Sequence, residues 1–215
     1  MNDNDFRLAA VAIFLAGAGM STYFRRKADR ESGETISPRA EGLPIMIALR
    51  VFGLALWLGV FAYLINPSWM TWSQVALPAG LRWLGAGLGA LADLFAYWIF
   101  SNLGSNVSPT VATRKHHQLV TSGPYRWVRH PLYTMGMISY LSFALLAANW
   151  YVAILSVVTF IILLIRLPRE EAGLLDRFGD EYRAYVKRTG RFLPKWGWDG
   201  HDTGAISRKG WRGIP

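Results

Sequence analysis

Five long apolar runs constrain this chain more than any other feature of its sequence. Residues 8–24 (LAAVAIFLAGAGMSTYF), 45–65 (IMIALRVFGLALWLGVFAYLI) and 80–100 (GLRWLGAGLGALADLFAYWIF) each approach the ~20 residues that carry a helix across ~30 Å of hydrocarbon. Residues 132–148 and 150–167 form two more, parted only by Asn149. Such blocks lack the short polar period of a soluble helix, and helices satisfy every backbone hydrogen bond internally where water is absent. The fold class expected is therefore all-α: a polytopic membrane protein with about five spans plus a C-terminal amphipathic helix on the cytoplasmic side. The acidic tail MNDNDFR, with no small-residue cleavage signature behind the first run, makes that run an expected retained span rather than a signal peptide.

The charges run with the spans. Lys and Arg number five in 25–44, four in 101–131 and eleven in 166–215, whereas 66–79 and 148–150 hold none and only Arg7 precedes the first run. That alternation follows the positive-inside pattern, with the N-terminus outside and the C-terminus in the cytoplasm, in the inner membrane if the source is bacterial. The net charge of +9 then reflects topology and attraction to anionic membrane lipids, and no nucleic-acid partner is expected. Without cysteine there is no disulfide framework, thiol nucleophile or thiolate metal site. No HExxH or comparable ligand spacing stands out, so no metal is expected, and no GxSxG elbow supports a serine hydrolase. Five spans also do not divide into the paired halves of a transporter.

The chain is expected to be a single membrane domain, 1–215. Three N-terminal spans fill 1–100, a functional half occupies 101–195 around the helical hairpin 132–167, and a polar tail covers 196–215. Gly85 and Gly89 have the small-xxx-small spacing that brings helices close, and Trp69 and Trp72 suit an outer aromatic belt. Arg50 and Asp93 are costly in lipid and are expected to face the bundle interior or an aqueous cavity, with pairing to each other as one outcome.

Two polar clusters flank the hairpin. The first, RKHHQLVTSGPYRWVRHPLY (114–133), ends in a Gly123-Pro124 turn and a Pro131 suited to the first turn of a helix starting near His130. Such a helix start favours an anionic group. Arg126 and Arg129 add charge, and Tyr125, Trp127 and Tyr133 offer flat surfaces for an aromatic ring. The second, RLPREEAGLLDRFGDEYRAY (166–185), puts Arg166 and Glu170 on one helical face and continues an amphipathic stripe through Phe178, Tyr182 and Tyr185. A hairpin turning within about two residues must set the two clusters side by side. Basic groups then oppose a pair of carboxylates, an arrangement suited to a zwitterionic ligand.

At these residues the sequence resembles the membrane methyltransferases related to isoprenylcysteine carboxyl methyltransferase and the phospholipid N-methyltransferases. The motifs are HQLVTSGPYRWVRHPLY (117–133), RLPREE (166–171), LLDRFGDEYRAY (174–185) and GRFLP (190–194), in the family's order. The resemblance implies an integral membrane enzyme that uses S-adenosylmethionine, releases S-adenosylhomocysteine and methylates a lipophilic or lipidated acceptor. It places His117, Leu119, Val120, Gly123, Pro124, Tyr125, Arg129, His130 and Tyr133 along the cofactor, with Glu170 and Glu171 holding its ammonium. Arg129 or Arg166 would position an acceptor carboxylate; for an amine acceptor Glu170, Glu171 or His130 would serve as base. Carboxyl O-methylation of an isoprenylcysteine-like acceptor is the leading expectation, lipid amine N-methylation the alternative, and an NADPH-dependent sterol-type reductase the second alternative. Pro168 departs from the family's charged run and is expected to kink its helix.

Overall fold

A computed structural model describes residues 3–32, 43–104 and 119–195. It is an all-α polytopic membrane protein: α1 (Asp3–Ser32), α2 (Leu43–Ile65), α3 (Ala79–Leu103), α4 (Pro131–Ala147) and α5 (Trp150–Arg188), with 3-10 helices at Pro67–Ser73 and Gly123–Arg126. Four of these, α1, α2, α3 and α5, are long and apolar enough to cross a membrane. The fifth apolar helix, α4, is the shorter one, its 17 residues reaching ~25 Å. It is apolar because it is the inner partner, packed between α3 and α5, with Ser142, Phe143, Ala144, Leu146 and Ala147 buried.

The helices do not stack in chain order. α1 and α3 run parallel, joined at their N-terminal ends by the Asp3–Arg82 ion pair and further along by Phe24 stacked on Phe100. α2 lies instead against α5, where the Tyr151 hydroxyl donates to the Ala55 carbonyl at 3.1 Å and the edge of its ring occupies the space a Cβ at Gly59 would take. Gly85 and Gly89 bring α3 onto α4: added Cβ atoms would press on Leu145 and on the Ser142 side chain respectively, and that at Gly89 also on Ile13 of α1.

The hairpin turn is tight, as its sequence requires. Ala148 takes the left-handed conformation (φ 47°), and Asn149 caps α5 through its side chain while its amide donates to Ser73 at 2.8 Å. Arg82 locks the same end, donating twice to the Leu146 carbonyl at 3.0 and 2.9 Å and lying 3.9 Å over the Phe6 ring. Trp69 and Trp72 are exposed on the 3-10 helix at that end.

At the opposite end the expected amphipathic stretch follows directly on the apolar part of α5, and beyond a kink it ends in a second helical piece. The helix passes through Pro168, and its non-helical residue is Gly179 (φ 51°, ψ −123°), where the axis breaks. Arg50 does not face the interior; it is exposed on α2. Asp93 does, as described below.

Candidate active site

The sequence around the Gly123-Pro124 turn folds as its residue types dictate. Gly123 adopts a positive φ of 56°, and the Asn102 side chain of α3 sits where its Cβ would be. Pro124 opens the 3-10 helix Gly123–Arg126, and both Pro124 and Tyr125 are buried. Burial, foremost, pushes the Tyr125 phenol well above its ordinary pKa. His130 then stands at the N-cap position of α4, with no capping bond from its side chain, and Pro131 takes the first helical position, where the missing N–H costs nothing.

A second strip of chain, 189–192, closes on this one. The Gly190 amide donates to the Trp127 carbonyl at 3.0 Å, and the Arg129 and His130 amides donate to the Gly190 and Arg191 carbonyls at 2.9 and 3.1 Å. Gly190 is required here: any Cβ would run into the Leu193 carbonyl. Tyr185 adds a hydroxyl bond to the Tyr125 carbonyl at 2.7 Å. The strip from GRFLP is thus a clasp across the site, and Arg191, Phe192 and Thr189 enter the site's architecture with no role assigned to them beforehand.

The two clusters do meet. The Tyr133 hydroxyl donates to Glu170 at 2.6 Å; His130 Nε2 lies 3.2 Å from Glu171 Oε1, and Nδ1 lies 3.9 Å from Glu170 Oε1. Glu171 is held from several sides: Arg191 grips both of its oxygens and Arg129 Nε approaches at 3.5 Å. The His130 hydrogen bond, then those of Arg191, hold its carboxyl down at about 2 although burial pulls the other way. Glu171 lies in the polar part of α5, beyond the apolar run that ends at Ile165. Arg129 spends its other donors on the end of α5, reaching the Val186 carbonyl at 3.3 Å and the Thr189 carbonyl.

Beside this network opens a cavity of about 780 Å³. Its wall takes Tyr133, Arg166 and Glu170 from the expected set, and they project from α4 and α5 as helical spacing required. The remainder of that set (Leu119, Val120, Gly123, Pro124, Tyr125, Arg129, His130 and Glu171) is not in its lining; His117 lies outside the described residues. Two charged groups that the motifs do not contain do line it: Arg25 of α1 and Asp93 of α3. So do Phe14, Trp57, Phe61 and Phe143, an aromatic cluster with ring centroids 5.2–6.4 Å apart in successive pairs. Nothing in the period of α1 marks Arg25 as a cavity residue, since an arginine after an apolar run reads as a topology signal.

A volume of this size falls within the ~300–1,000 Å³ of small-ligand sites, which are mostly apolar with a few fixed polar groups. The cavity offers both charge signs and aromatic faces. That set fits a ligand such as S-adenosylmethionine, which carries a carboxylate, an ammonium, a sulfonium and an adenine. Among the described residues no group of three or more His, Asp or Glu side chains is placed to hold a metal ion.

Known proteins share this part of the chain. The model of the isoprenylcysteine carboxyl methyltransferase (ICMT) family matches residues 83–176. Nickel-cobalt-cadmium resistance protein NccN of Alcaligenes xylosoxydans xylosoxydans is 31% identical over 85 residues, 40% of either chain. Protein-S-isoprenylcysteine O-methyltransferase of Schizosaccharomyces pombe is 37% identical over 94 residues, 42% of this chain and 40% of that one. Methanethiol S-methyltransferase 1 of Bradyrhizobium diazoefficiens is 33% identical over 70 residues, 33% of this chain and 24% of that one. The chain thus spans about two fifths of the length of the first of these relatives. The matched segment holds α3 from Trp83, α4, and α5 as far as Asp176, with the ion-paired clusters, and over that segment the chain is similar to the ICMT family.

Proposed function

We propose that the protein is an S-adenosylmethionine-dependent membrane methyltransferase that esterifies the carboxylate of an isoprenylcysteine-like acceptor. One observation carries the reading. The segment matching the ICMT family places Glu170, Tyr133 and Arg166 on one apolar, aromatic-walled cavity among membrane-spanning helices. A lipophilic acceptor needs such walls and a charged cofactor needs such polar groups, and both are supplied in one space.

The cofactor supplies an electrophilic methyl group on a sulfonium, so the chain's task is placement more than proton transfer. Glu170, oriented by the Tyr133 hydroxyl, is assigned the cofactor's ammonium. Arg25 is assigned its carboxylate, and the segment 119–125 with His130 is assigned its remaining contacts on the strength of the family resemblance. Glu171 holds His130 and Arg191 in place behind Glu170. An acceptor carboxylate is already ionised near neutral pH and needs no base. Of the two arginines considered for it, Arg166 lines the cavity, whereas Arg129 is committed to the end of α5. The aromatic cluster around Trp57 receives the acceptor's hydrocarbon. By the positive-inside distribution this polar end faces the cytoplasm and the N-terminus lies outside.

The test is incubation of the purified protein in lipid nanodiscs with methyl-labelled S-adenosylmethionine and N-acetyl-S-farnesylcysteine. A base-labile labelled ester is expected, and Glu170→Gln should weaken S-adenosylhomocysteine binding about tenfold, the worth of one charged hydrogen bond. Stabilisation by NADPH with none by S-adenosylhomocysteine overturns the proposal. Label in a lipid amine instead of an ester moves it to N-methylation.

A further inference from the structure

The clasp ends in a tip for which methyl transfer has no use. Leu193 is 72% exposed, more than any other large hydrophobic residue among those described, and Pro194 beside it is exposed too. A single apolar side chain in water is ordinary. The neighbours of this one fix where it lies, and that place is not water.

The strip descends along the entry to α4. The Gly190 amide bonds to the Trp127 carbonyl, the His130 amide to the Arg191 carbonyl, and the Thr134 hydroxyl donates to the Phe192 carbonyl at 3.0 Å. Each step of the strip therefore pairs further along the chain, and Thr134 already belongs to the first turn of α4. The Phe192 ring completes the descent, its centroid 6.4 Å from those of His130, Tyr133 and Phe160. Phe160 precedes Ile165, where the apolar run of α5 stops, by a helical distance of ~7 Å. The chain then turns back at once, since the Leu193 carbonyl returns to Gly190. Phe192 thus faces inward, and Leu193 faces out where hydrocarbon gives way to headgroups. Trp98 and Trp127, exposed and with ring centroids 6.0 Å apart, mark that same boundary from α3 and the Gly123-Pro124 segment.

Basic groups gather beside the tip. The Lys195 ammonium donates to the Lys187 carbonyl at 2.8 Å, which brings Lys187, Arg188 and Lys195 together at the end of α5. All three are exposed, and among the described residues none has a carboxylate at ion-pair distance. Glu171, the acid on the strip, is taken by Arg191. An exposed apolar tip rimmed by uncompensated cations suits an interfacial anchor, with alkyl groups in the acyl boundary and cations on acidic headgroups. A water-borne partner would need this surface clear of the bilayer, whereas the Phe192–Phe160 contact holds it at bilayer level.

We propose that the tip at 192–194 is a lipid-docking site: Leu193 inserts among the acyl chains of the adjoining leaflet, and Lys187, Arg188 and Lys195 hold the phosphates of acidic phospholipids. The clasp over the candidate active site is thereby fastened to the membrane as well as to α4. The inference goes beyond the methyltransferase reading and does not depend on it.

Because the chain has no cysteine, single ones can be placed without background. Leu193→Cys is labelled with an environment-sensitive fluorophore in nanodiscs of phosphatidylcholine and phosphatidylglycerol, with phospholipid spin-labelled near the top of its acyl chain as quencher. Ile165→Cys, exposed at the end of the apolar run, is the lipid reference, and Asp180→Cys, exposed among charged residues, the water reference. Quenching at 193 should approach that at 165; quenching no greater than at 180 overturns the proposal. Spin-labelled phosphatidylglycerol should quench position 193 more than spin-labelled phosphatidylcholine at equal mole fraction, by a local enrichment of about fivefold for each basic residue engaged. Combining Lys187→Gln, Arg188→Gln and Lys195→Gln should abolish that excess while quenching by phosphatidylcholine persists. Equal quenching by the two lipids in the wild type overturns the headgroup assignment. Fluorescence that brightens only when labelled chains are diluted with unlabelled ones gives the tip to a second copy and overturns the proposal. None of these measurements reads methyl transfer, so their failure leaves the proposed activity standing.

Discussion

At the scale of single residues, the two neighbouring carboxylates have parted into different duties. Glu170 lines the cavity with the Tyr133 hydroxyl and His130 beside it, while Glu171 is enclosed by His130, Arg129 and Arg191. Their adjacency in RLPREE shows the pair, but not which member faces the ligand; that depends on the clasp residues that arrive from Gly190 onwards. Glu171→Gln removes charge-assisted bonds whose net worth is about 2 kcal/mol, so a lower thermal midpoint is expected with catalytic groups otherwise intact. The pH dependence has a definite sign. A carboxyl held at about 2 in the folded protein, below its ordinary 4.5, stabilises the fold above that ordinary value. The stabilisation drains away as pH falls from 4.5 towards 2. Thermal midpoints of the wild type and Glu171→Gln should differ at pH 7, and the gap should shrink below pH 4.5 and close only near pH 2; a constant gap would show that the charge of Glu171 contributes nothing.

At the scale of elements, α5 is the part whose length the sequence misstates. Apolarity stops at Ile165, so the run reads as a span ending there followed by a distinct surface helix. The helix instead continues, because Arg169 to Ala172, Leu174 and Leu175 are helix formers and both Pro168 and Gly173 are accommodated within it. It breaks at Gly179, a residue unremarkable in the sequence whose backbone conformation is open almost only to glycine. Beyond the break, Tyr182 and Tyr185 are buried, and Tyr185 binds the Tyr125 carbonyl. The stripe recognised as amphipathic thus covers the Gly123-Pro124 segment rather than lipid. Gly179→Ala has open space for its methyl group but not the permitted φ, at a cost of about 1–3 kcal/mol. Limited proteolysis in nanodiscs should then cut sooner within 180–195, with the apolar part of α5 still protected. Gly190→Ala is expected to be worse, since its methyl group meets backbone, and expression of folded protein should fall.

At the scale of the whole molecule, the two ends of the bundle do opposite work. One end is sealed by Arg82, which ties α1, α3 and α4 through Asp3, Phe6 and the Leu146 carbonyl. The other end opens into the cavity. Arg82→Met should lower the thermal midpoint, by an amount equivalent to about 3 kcal/mol for a buried charge with several bonds, yet leave S-adenosylhomocysteine affinity unaltered. A matched loss of affinity would show that the ends are coupled. The number of apolar runs, the tight hairpin at Asn149 and the meeting of both clusters were legible in the sequence, because hydrophobic length and turn residues act locally. Arg25, Asp93 and the order of helices around the bundle were not. They follow from which apolar faces match in three dimensions, and five uniformly greasy segments carry little pattern from which to read that.

The placement of α2 against α5 has a consequence in time. The two helices are separated in the chain by α3, the polar segment at 119–130 and α4, all of which a ribosome delivers before α5. During that interval α2 has lipid where its partner will be, and α1 has no parallel neighbour until α3 arrives. A span with so few charges can wait alone in the bilayer, as α2 must. The cavity therefore waits for α5, which sets the moment when it exists, and the clasp at 189–192 follows it.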